Sequence, residues 1–334
     1  MFNINLIILL SLINISFFIF FNKLNKLINI YDLPNNRKIH TKPVSSNGGF
    51  YLIINLCALL LFYKNIYIDS KNLFLNLPNF YSFYLTTLLI FIMGVIDDIV
   101  DLRPLKKSIY LFILIYSALL IDESLVIEEL HFSFIDKIFY LKQASIFFTL
   151  FCIFIFINAF NMFDGTNLQA GFYSLIITIF FILHSGYLNI FLPILTFLIF
   201  FIYHNSFGKI FLGNSGSHTL GFIFSWFFIK LYNINIIPNI DDIILIMLIP
   251  GLDLIRLFYS RTIKKSDFFI SDKNHIHHIL MNKFNGIKLQ LIIVLLVLIP
   301  LIIFNYSQMF FISLIIGISN YTILVLFCKK KLTF

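Results

Sequence analysis

Residues 79–98 read NFYSFYLTTLLIFIMGVIDD, and the order of residue types in this stretch predicts the fold. The apolar part, from Asn79 to Ile96, approaches the roughly 20 residues that a membrane-spanning helix needs. Two carboxylates, Asp97 and Asp98, follow at once. The stretch therefore predicts a helix that crosses a membrane and ends in a charged pair.

The same pattern recurs along the chain of 334 residues, which is 60% hydrophobic and contains 44 phenylalanines. Continuously apolar stretches predict membrane helices. We find them near residues 4–21, 50–63, 79–96, 108–121, 143–157, 171–184, 188–203, 218–232, 242–255, 287–304 and 308–327. We therefore expect an all-α polytopic membrane protein with about 11 transmembrane helices, as a single domain over residues 1–334.

Polar residues interrupt this apolar sequence in five clusters. They are residues 32–49 (DLPNNRKIHTKPVSSNGG), 97–98 (DD), 158–171 (NAFNMFDGTNLQAG), 213–217 (GNSGS) and 272–278 (DKNHIHH). Polar and ionisable groups near lipid are costly, so we interpret them as functional. Five clusters that meet on one face would outline an active site.

The basic residues predict that all five clusters lie on one side of the membrane. Lys and Arg accumulate in cytoplasmic loops. With the N-terminus outside, all but five of the 24 basic residues fall inside with the clusters, and the exceptions are Lys64, Lys71, Lys137, Lys142 and Lys230. The net charge of +8 is then a topology signal, so we expect contact with membrane lipid and no nucleic-acid partner.

Carboxylates and amides in two clusters suit phosphate or metal chemistry. The pair Asp97-Asp98 suits a divalent cation or a catalytic base, although a hydrated helix end explains it too. Asn158, Asn161 and Asp164 recur every three residues and so share a helix face that suits a hard cation. Capping explains one of these three residues but not the shared face.

Two aspartates and a glycine-rich segment have weaker signals. We interpret Asp241-Asp242 as an ordinary hydrated loop pair. The GNSGS sequence precedes an apolar helix that we expect to start near His218, and a helix N-terminus binds anions. Ser is also a common N-cap, so this motif alone decides little.

The histidine cluster and nearby basic residues suit a diphosphate. Arg and His bind phosphate oxygens through charge-assisted hydrogen bonds. No cysteine or carboxylate spacing completes a zinc site. The residues concerned are His275, His277 and His278, with Arg256, Arg261 and, beyond the Asp pair, Lys106 or Lys107. We interpret His131, His184, His204 and His218 as structural.

In order along the chain, the five clusters resemble the motifs of the polyprenyl-phosphate N-acetylhexosamine-1-phosphate transferases (glycosyltransferase 4). The HIHH sequence at 275–278 is similar to the N-acetylglucosaminyl-phosphate type. The resemblance implies a multi-pass enzyme of the bacterial inner membrane with a cytoplasmic active site. It also implies Mg²⁺, undecaprenyl phosphate as acceptor, a UDP-N-acetylhexosamine as donor, and the start of a cell-envelope polysaccharide. N-acetylglucosamine is the default sugar, and a homodimer stays open.

The resemblance assigns roles to matching positions. The paired aspartates would handle the lipid phosphate and its proton, and the histidine loop would bind the donor diphosphate and sugar. The implied set is Asp97, Asp98 and Asp164 (catalytic), Asp32, Arg37, His40, Lys107, Asn167, Arg256, Arg261, His275, His277 and His278 (substrate), and Asn161, Asn214 and Asp164 (metal). Asn167 would read uracil.

The chain departs from the family pattern at three places. Asn214 stands where the family has an aspartate that binds magnesium, Ser45 replaces a common proline, and the sequence after Asp164 is one residue short. A catalytically weakened homologue therefore stays an alternative. A transporter or flippase would need charged residues near mid-bilayer, and the aspartate signature of a CDP-alcohol phosphotransferase is missing.

Overall fold

The computed structural model of the protein describes residues 3–34, 40–62, 73–74, 76–263 and 275–329. The α-helices in these ranges are α1 Ile4–Ile28, α2 Gly48–Leu61, α3 Leu77–Val100, α4 Pro104–Ile121, α5 Ser145–Phe163, α6 Gln169–Ser185, α7 Leu188–Ser206, α8 Gly213–Asn233, α9 Asp241–Ile263, α10 Ile276–Leu280, α11 Gly286–Ser307 and α12 Phe310–Lys329. Two antiparallel pairs of strands join them, β1 Tyr31–Asp32 with β2 Val44–Ser45 and β3 Glu129–Phe132 with β4 Ile135–Tyr140.

The all-α polytopic class is confirmed. Within the described residues, eight helices are long and apolar enough to cross a membrane: α1, α3, α4, α5 with the short 3₁₀ turn before it, α7, α9, α11 and α12. The predicted count of about 11 is not confirmed, because three of the predicted stretches lie on helices outside these eight: α2 and α6, which are shorter than a full span, and α8.

Helix α8 forms the centre of the bundle and is buried along nearly its whole length. Small residues bring its neighbours close, as is usual between membrane helices. A Cβ atom added at Gly94 of α3 would lie 2.5 Å from the Cα of Ser215. A Cβ atom added at Gly221 would lie 2.9 Å from the Cα of Ile157 on α5. At 1.5 Å per residue, α8 is roughly 30 Å long, about the thickness of a hydrocarbon core.

The C-terminal end of α8 is held by a buried ion pair. Lys230 contacts both carboxylate oxygens of Asp122, at 2.8 and 2.7 Å, and also binds Ser124. Both charged side chains are 1% exposed. Next to them, the Tyr232 hydroxyl accepts the backbone N–H of His131 and so anchors the β3–β4 hairpin.

The interpretation of Asp241-Asp242 as a hydrated loop pair is wrong. Both residues lie in the first turn of α9 and are buried. Asp241 accepts the backbone N–H of Ser133 at 2.8 Å. Asp241 therefore packs against the hairpin at the end of the bundle that carries Lys230.

The opposite end of α8 is built by two chain segments that run side by side. The backbone N–H groups of Gly48 and Gly49 donate to the carbonyls of Phe211 and Leu212, at 3.0 and 3.1 Å. A side chain at Gly48 would lie 2.8 Å from the Leu212 Cα, so the close approach requires glycine. This pairing positions the first turn of α8.

Candidate active site

The carboxylate of Asp98, near the end of α3, closes the N-terminus of α8. Its two oxygens accept the backbone N–H groups of Asn214 (2.7 Å) and Ser215 (3.0 Å). Such N–H groups lack partners within the helix and favour an anion. The predicted helix start near His218 is wrong, since the GNSGS segment is itself the first turn of α8. The anion expected there is an aspartate of the chain.

Asp97 points to a different partner. Its carboxylate forms an ion pair with Lys107 of α4 at 2.8 Å and accepts the backbone N–H of Leu102 at 3.0 Å. The Asp97 side chain is 4% exposed and that of Lys107 is 16% exposed. The adjacent aspartates thus serve two different helices, because one contacts α4 and the other α8.

Asn214 connects these two pairs. Its backbone N–H bonds Asp98, and its side-chain oxygen lies 3.4 Å from the Lys107 amine. Its carbonyl accepts a hydrogen bond from Nδ1 of the fully buried His218. The position at which the resemblance implies a metal ligand therefore lies in the same network as the aspartate pair, and His218 lies in that network too.

The predicted oxygen-bearing stripe on α5 divides into two parts. Asn158 donates to the carbonyl of Phe154 within its own helix. Asn161 accepts the Ser217 hydroxyl at 2.5 Å and so faces α8. Asp164 follows directly after the helix. Asn161 and Asp164 thus lie at the candidate site, whereas Asn158 is occupied locally.

Asp164 is the exceptional carboxylate of this group. Burial, together with the negative charge of nearby Asp98, raises the pKa of Asp164 to about 7. Among the described residues, none donates a hydrogen bond to its side chain. Asp164 and Asp98, both partly buried, therefore form a shared negative region at the site.

The histidine loop reaches this region through His277. Its ring packs directly on Gly165, where any side chain would overlap it. The rings of His275 and His277 stack with centroids 5.4 Å apart, and His278 lies against His277 at 4.4 Å. Burial, with the charges of His278 and His275, lowers the pKa of His277 to about 3. His277 is therefore neutral at physiological pH.

The Asn167 loop is shaped by hydrogen bonds from α7. Leu168 has a positive φ of 71°, and its backbone N–H donates to Asn205, which in turn donates to the carbonyl of Ile210. Asn167 itself is exposed. A side chain at Gly208 would lie 3.4 Å from the Asn167 amide, so Asn167 borders the segment that leads into α8.

Asp32 and His40 of the first cluster lie beside the same segment. His40 contacts the Asp32 carboxylate through Nε2 at 2.9 Å, and its ring lies edge-on to Phe211 at 5.3 Å. Arg37 lies outside the described residues. Asp32 and His40 are thus placed next to the residues that precede the first turn of α8.

Sequence reasoning did not single out Asp253, a buried residue of α9 that contacts the histidine loop. It accepts Arg256 at 2.6 Å and the backbone N–H of Ile276 at 3.1 Å. The spacing of three between Asp253 and Arg256 was an available signal, because such residues adjoin on a helix. Arg261 lies in the last turn of α9, beyond these contacts.

The fold and the site define a class: a polytopic all-α membrane protein with aspartates, amides, one lysine and histidines gathered at one end of the bundle. Residues 80–232 match the model of the glycosyl transferase family 4. This match covers slightly less than half of the chain. It includes the aspartate pair, Lys107, the Asn161–Asn167 segment and the first turn of α8, and it ends before the histidine loop.

Curated relatives extend the similarity over most of the chain, and they are named undecaprenyl-phosphate alpha-N-acetylglucosaminyl 1-phosphate transferase. The protein of that name from Yersinia pestis is 26% identical over 287 residues, which are 82% of this chain and 76% of the relative. Those from Thermotoga maritima and Escherichia coli K12 are also 26% identical, covering 79% of this chain and 77% and 72% of the relatives. The resemblance noted in the sequence is confirmed.

Proposed function

We propose that this chain transfers an N-acetylhexosamine 1-phosphate from a UDP-sugar to undecaprenyl phosphate, releases UMP and starts a cell-envelope polysaccharide. The default donor is UDP-N-acetylglucosamine. The observation that carries the proposal is the meeting of the Asp97–Lys107 pair, the Asp98-capped α8 and Asp164 at one end of the bundle. The names of the relatives support the coarser part of this proposal, the transfer of a sugar 1-phosphate to undecaprenyl phosphate.

The Asp97–Lys107 pair suits the lipid phosphate. Lys107 supplies a positive charge that can hold a phosphate oxygen, and Asp97 would take the phosphate proton and keep the acceptor ionised. An oxygen of undecaprenyl phosphate would then bond to the β-phosphorus of the donor while the bond from that phosphorus to UMP breaks. Phosphoryl transfer of this kind depends chiefly on positioning and charge neutralisation.

The residues around Asp164 suit a magnesium ion. No group of three or more His, Cys, Asp and Glu residues arranged for a metal occurs in the described part of the chain. Mg²⁺, however, is commonly held by one or two carboxylates with substrate phosphates and water. Asp164 offers a carboxylate to which none of the described residues donates a hydrogen bond. Asn161 precedes it by three residues on α5 and bonds Ser217 of α8, and Asn214 bonds Asp98, whose charge acts on Asp164. When bound, the ion would neutralise charge on the donor diphosphate.

The donor would lie between the Asn167 loop and the histidine loop. Asn167 is exposed and free to read the uracil edge. His277 is neutral, so it would contribute a hydrogen bond rather than a charge. Arg256 is committed to Asp253, so we assign it to the support of the loop, whereas His275 and His278 would contact the diphosphate and sugar.

A second reading, a catalytically weakened homologue, is favoured by one residue. Asn214 brings no charge to the metal site, and its side-chain oxygen faces Lys107. An amide oxygen still binds Mg²⁺, but less strongly than a carboxylate does. Activity at high magnesium would separate a weakened metal site from a lost one.

Transfer is tested with membranes that contain the full chain, radiolabelled UDP-N-acetylhexosamines and undecaprenyl phosphate. We expect a labelled lipid diphosphate and one UMP for each product. Asp97→Asn should abolish transfer, whereas Asp101→Asn, a control at an exposed aspartate just after α3, should not. Absence of a lipid product from the wild-type chain with every UDP-sugar, even at high magnesium, would contradict the proposal.

A further inference from the structure

The carboxylate of Asp253 joins α9, the histidine loop and α12. Its Oδ1 accepts hydrogen bonds from Arg256 (2.6 Å), the Tyr321 hydroxyl (3.1 Å) and the backbone N–H of Ile276 (3.1 Å). Its Oδ2 lies 3.4 Å from Nδ1 of His275. One side chain thus contacts three elements that are distant along the chain.

Asp253 is buried, with 4% of its surface exposed. A buried carboxylate needs charge-assisted partners to offset the loss of water. Arg256 supplies the charge, and its Nε also donates to the Tyr321 hydroxyl at 2.9 Å. Asp253, Arg256 and Tyr321 are therefore each hydrogen-bonded to the other two. The Asp253 carboxylate also contacts the Ile276 amide and His275.

Helix α10 depends on such contacts. It spans only five residues, and a helix this short has little stability of its own. Asp253 holds its first amide, while α12 contacts the residues just after it. There, Asn282 donates to the Cys328 carbonyl at 3.3 Å, and the Lys283 amine lies 3.5 Å from the centre of the Phe327 ring.

We propose that Asp253 is a positioning residue for the sugar-nucleotide donor, which acts by fixing His275 and the start of α10 against α9 and α12. The inference rests on the proposed function. Asp253 touches the loop through the Ile276 amide, one residue before His277, whose ring packs on Gly165. A shift of the loop at Asp253 would therefore move His275 and His277 relative to Asp164 and the donor.

Asp253 lies apart from the residues assigned to the lipid acceptor. The lipid phosphate is assigned to Asp97 and Lys107, which contact neither α9 nor α10 among their described partners. Loss of Asp253 should therefore raise KM for the UDP-sugar and leave KM for undecaprenyl phosphate unchanged. A misplaced binding group can change the rate by about 10- to 100-fold.

The test compares Asp253→Asn with Asp242→Asn, a matched control that removes a buried carboxylate from the other end of the same helix. In the full chain in detergent or membranes, we expect Asp253→Asn to raise donor KM about tenfold or more. Asp253→Glu, which keeps the charge, should restore part of this loss. Tyr321→Phe, which removes one hydroxyl donor, should give a smaller change in the same direction.

Hydrogen exchange of residues 276–282 tests the anchoring without any substrate. We expect faster exchange in Asp253→Asn and no change in Asp242→Asn. Unchanged exchange in Asp253→Asn, or an equal rise in both KM values, would overturn the inference. An inactive wild-type chain would contradict the proposed function instead, and the exchange experiment would still decide whether Asp253 anchors the loop.

Discussion

Asp98 caps a helix that begins 115 residues later: its carboxylate accepts the backbone N–H of Asn214 at 2.7 Å. The Asp-Asp motif alone suggests that Asp98 serves catalysis at a helix end and that folding depends little on it. The contact shows that Asp98 also orders the first turn of α8, the central helix of the bundle. Asp98 therefore contributes to the stability of the fold as well as to the proposed chemistry.

Asp98→Asn should reduce stability as well as transfer. The substitution replaces one charged acceptor of two backbone N–H groups by an amide that keeps a single oxygen. Hydrogen bonds to a charged group contribute about 1.5–3 kcal/mol each, so a loss of about 1–3 kcal/mol in unfolding free energy is expected. Denaturation of the purified variants measures it, with Asp101→Asn as the matched control. Equal stability of Asp98→Asn and Asp101→Asn would contradict the structural role.

Asn214→Asp should lower the magnesium concentration for half-maximal transfer. A carboxylate binds a hard cation better than an amide, and nearby Lys107 would partly offset the added charge. Magnesium titrations of both proteins under one assay condition measure the effect. Asn158→Asp is the control, because Asn158 bonds only its own helix in the described contacts. An unchanged curve for Asn214→Asp would remove residue 214 from the proposed metal ligands.

Magnesium affinity should depend on pH through Asp164. Its pKa is raised to about 7 by burial and by the charge of Asp98. Below that pH the carboxylate is protonated in the metal-free protein, and a proton must leave before a cation binds. We expect the apparent magnesium Kd to rise as pH falls from 8 to 6, by up to about tenfold per unit below 7. Isothermal titration gives the Kd, and Asp164→Asn should be weaker throughout but flat over this range.

The candidate site should face the cytoplasm and the β3–β4 hairpin the exterior, because the topology inferred from the sequence assigns most basic residues to the side of the five clusters. Thr41 and Asp136 are exposed positions at the two ends. Each is changed to cysteine in a chain without its three native cysteines. An impermeant thiol reagent should label position 136 in intact cells and position 41 only after permeabilisation. Labelling of position 41 in intact cells, and of position 136 only after permeabilisation, would contradict the predicted orientation.

The sequence predicts the helices of this fold better than the contacts between them. Each predicted apolar stretch coincides for most of its length with a helix, because continuous apolarity alone requires a helix in lipid. The meeting of the clusters follows from the uneven distribution of charge. By contrast, the contacts of Asp98 with Asn214 and of Asp253 with Tyr321 join residues 116 and 68 positions apart. Such contacts depend on how the helices pack, and no local pattern in the sequence specifies them.

The packing of His277 on Gly165 gives the sharpest test of the site. A side chain at position 165 would overlap the imidazole ring, so Gly165→Ala must displace the histidine loop or the segment after Asp164. Because His277 is 3% exposed and packed on several sides, it cannot simply turn aside. We expect Gly165→Ala to reduce kcat/KM for the UDP-sugar by about 100-fold or more.

Gly251→Ala is the matched control for this variant. Position 251 lies on α9, and an added methyl group there meets none of the described residues within 4 Å. The control should therefore keep its activity and fold. If Gly165→Ala binds and uses the UDP-sugar as the wild type does, then the contact between the histidine loop and the Asp164 segment does not shape the donor site.

His277→Ala in the Gly165→Ala background refines the result, because removal of the ring relieves the overlap. Donor binding that improves in the double variant over Gly165→Ala alone would identify the His277 ring as the group that the methyl displaces.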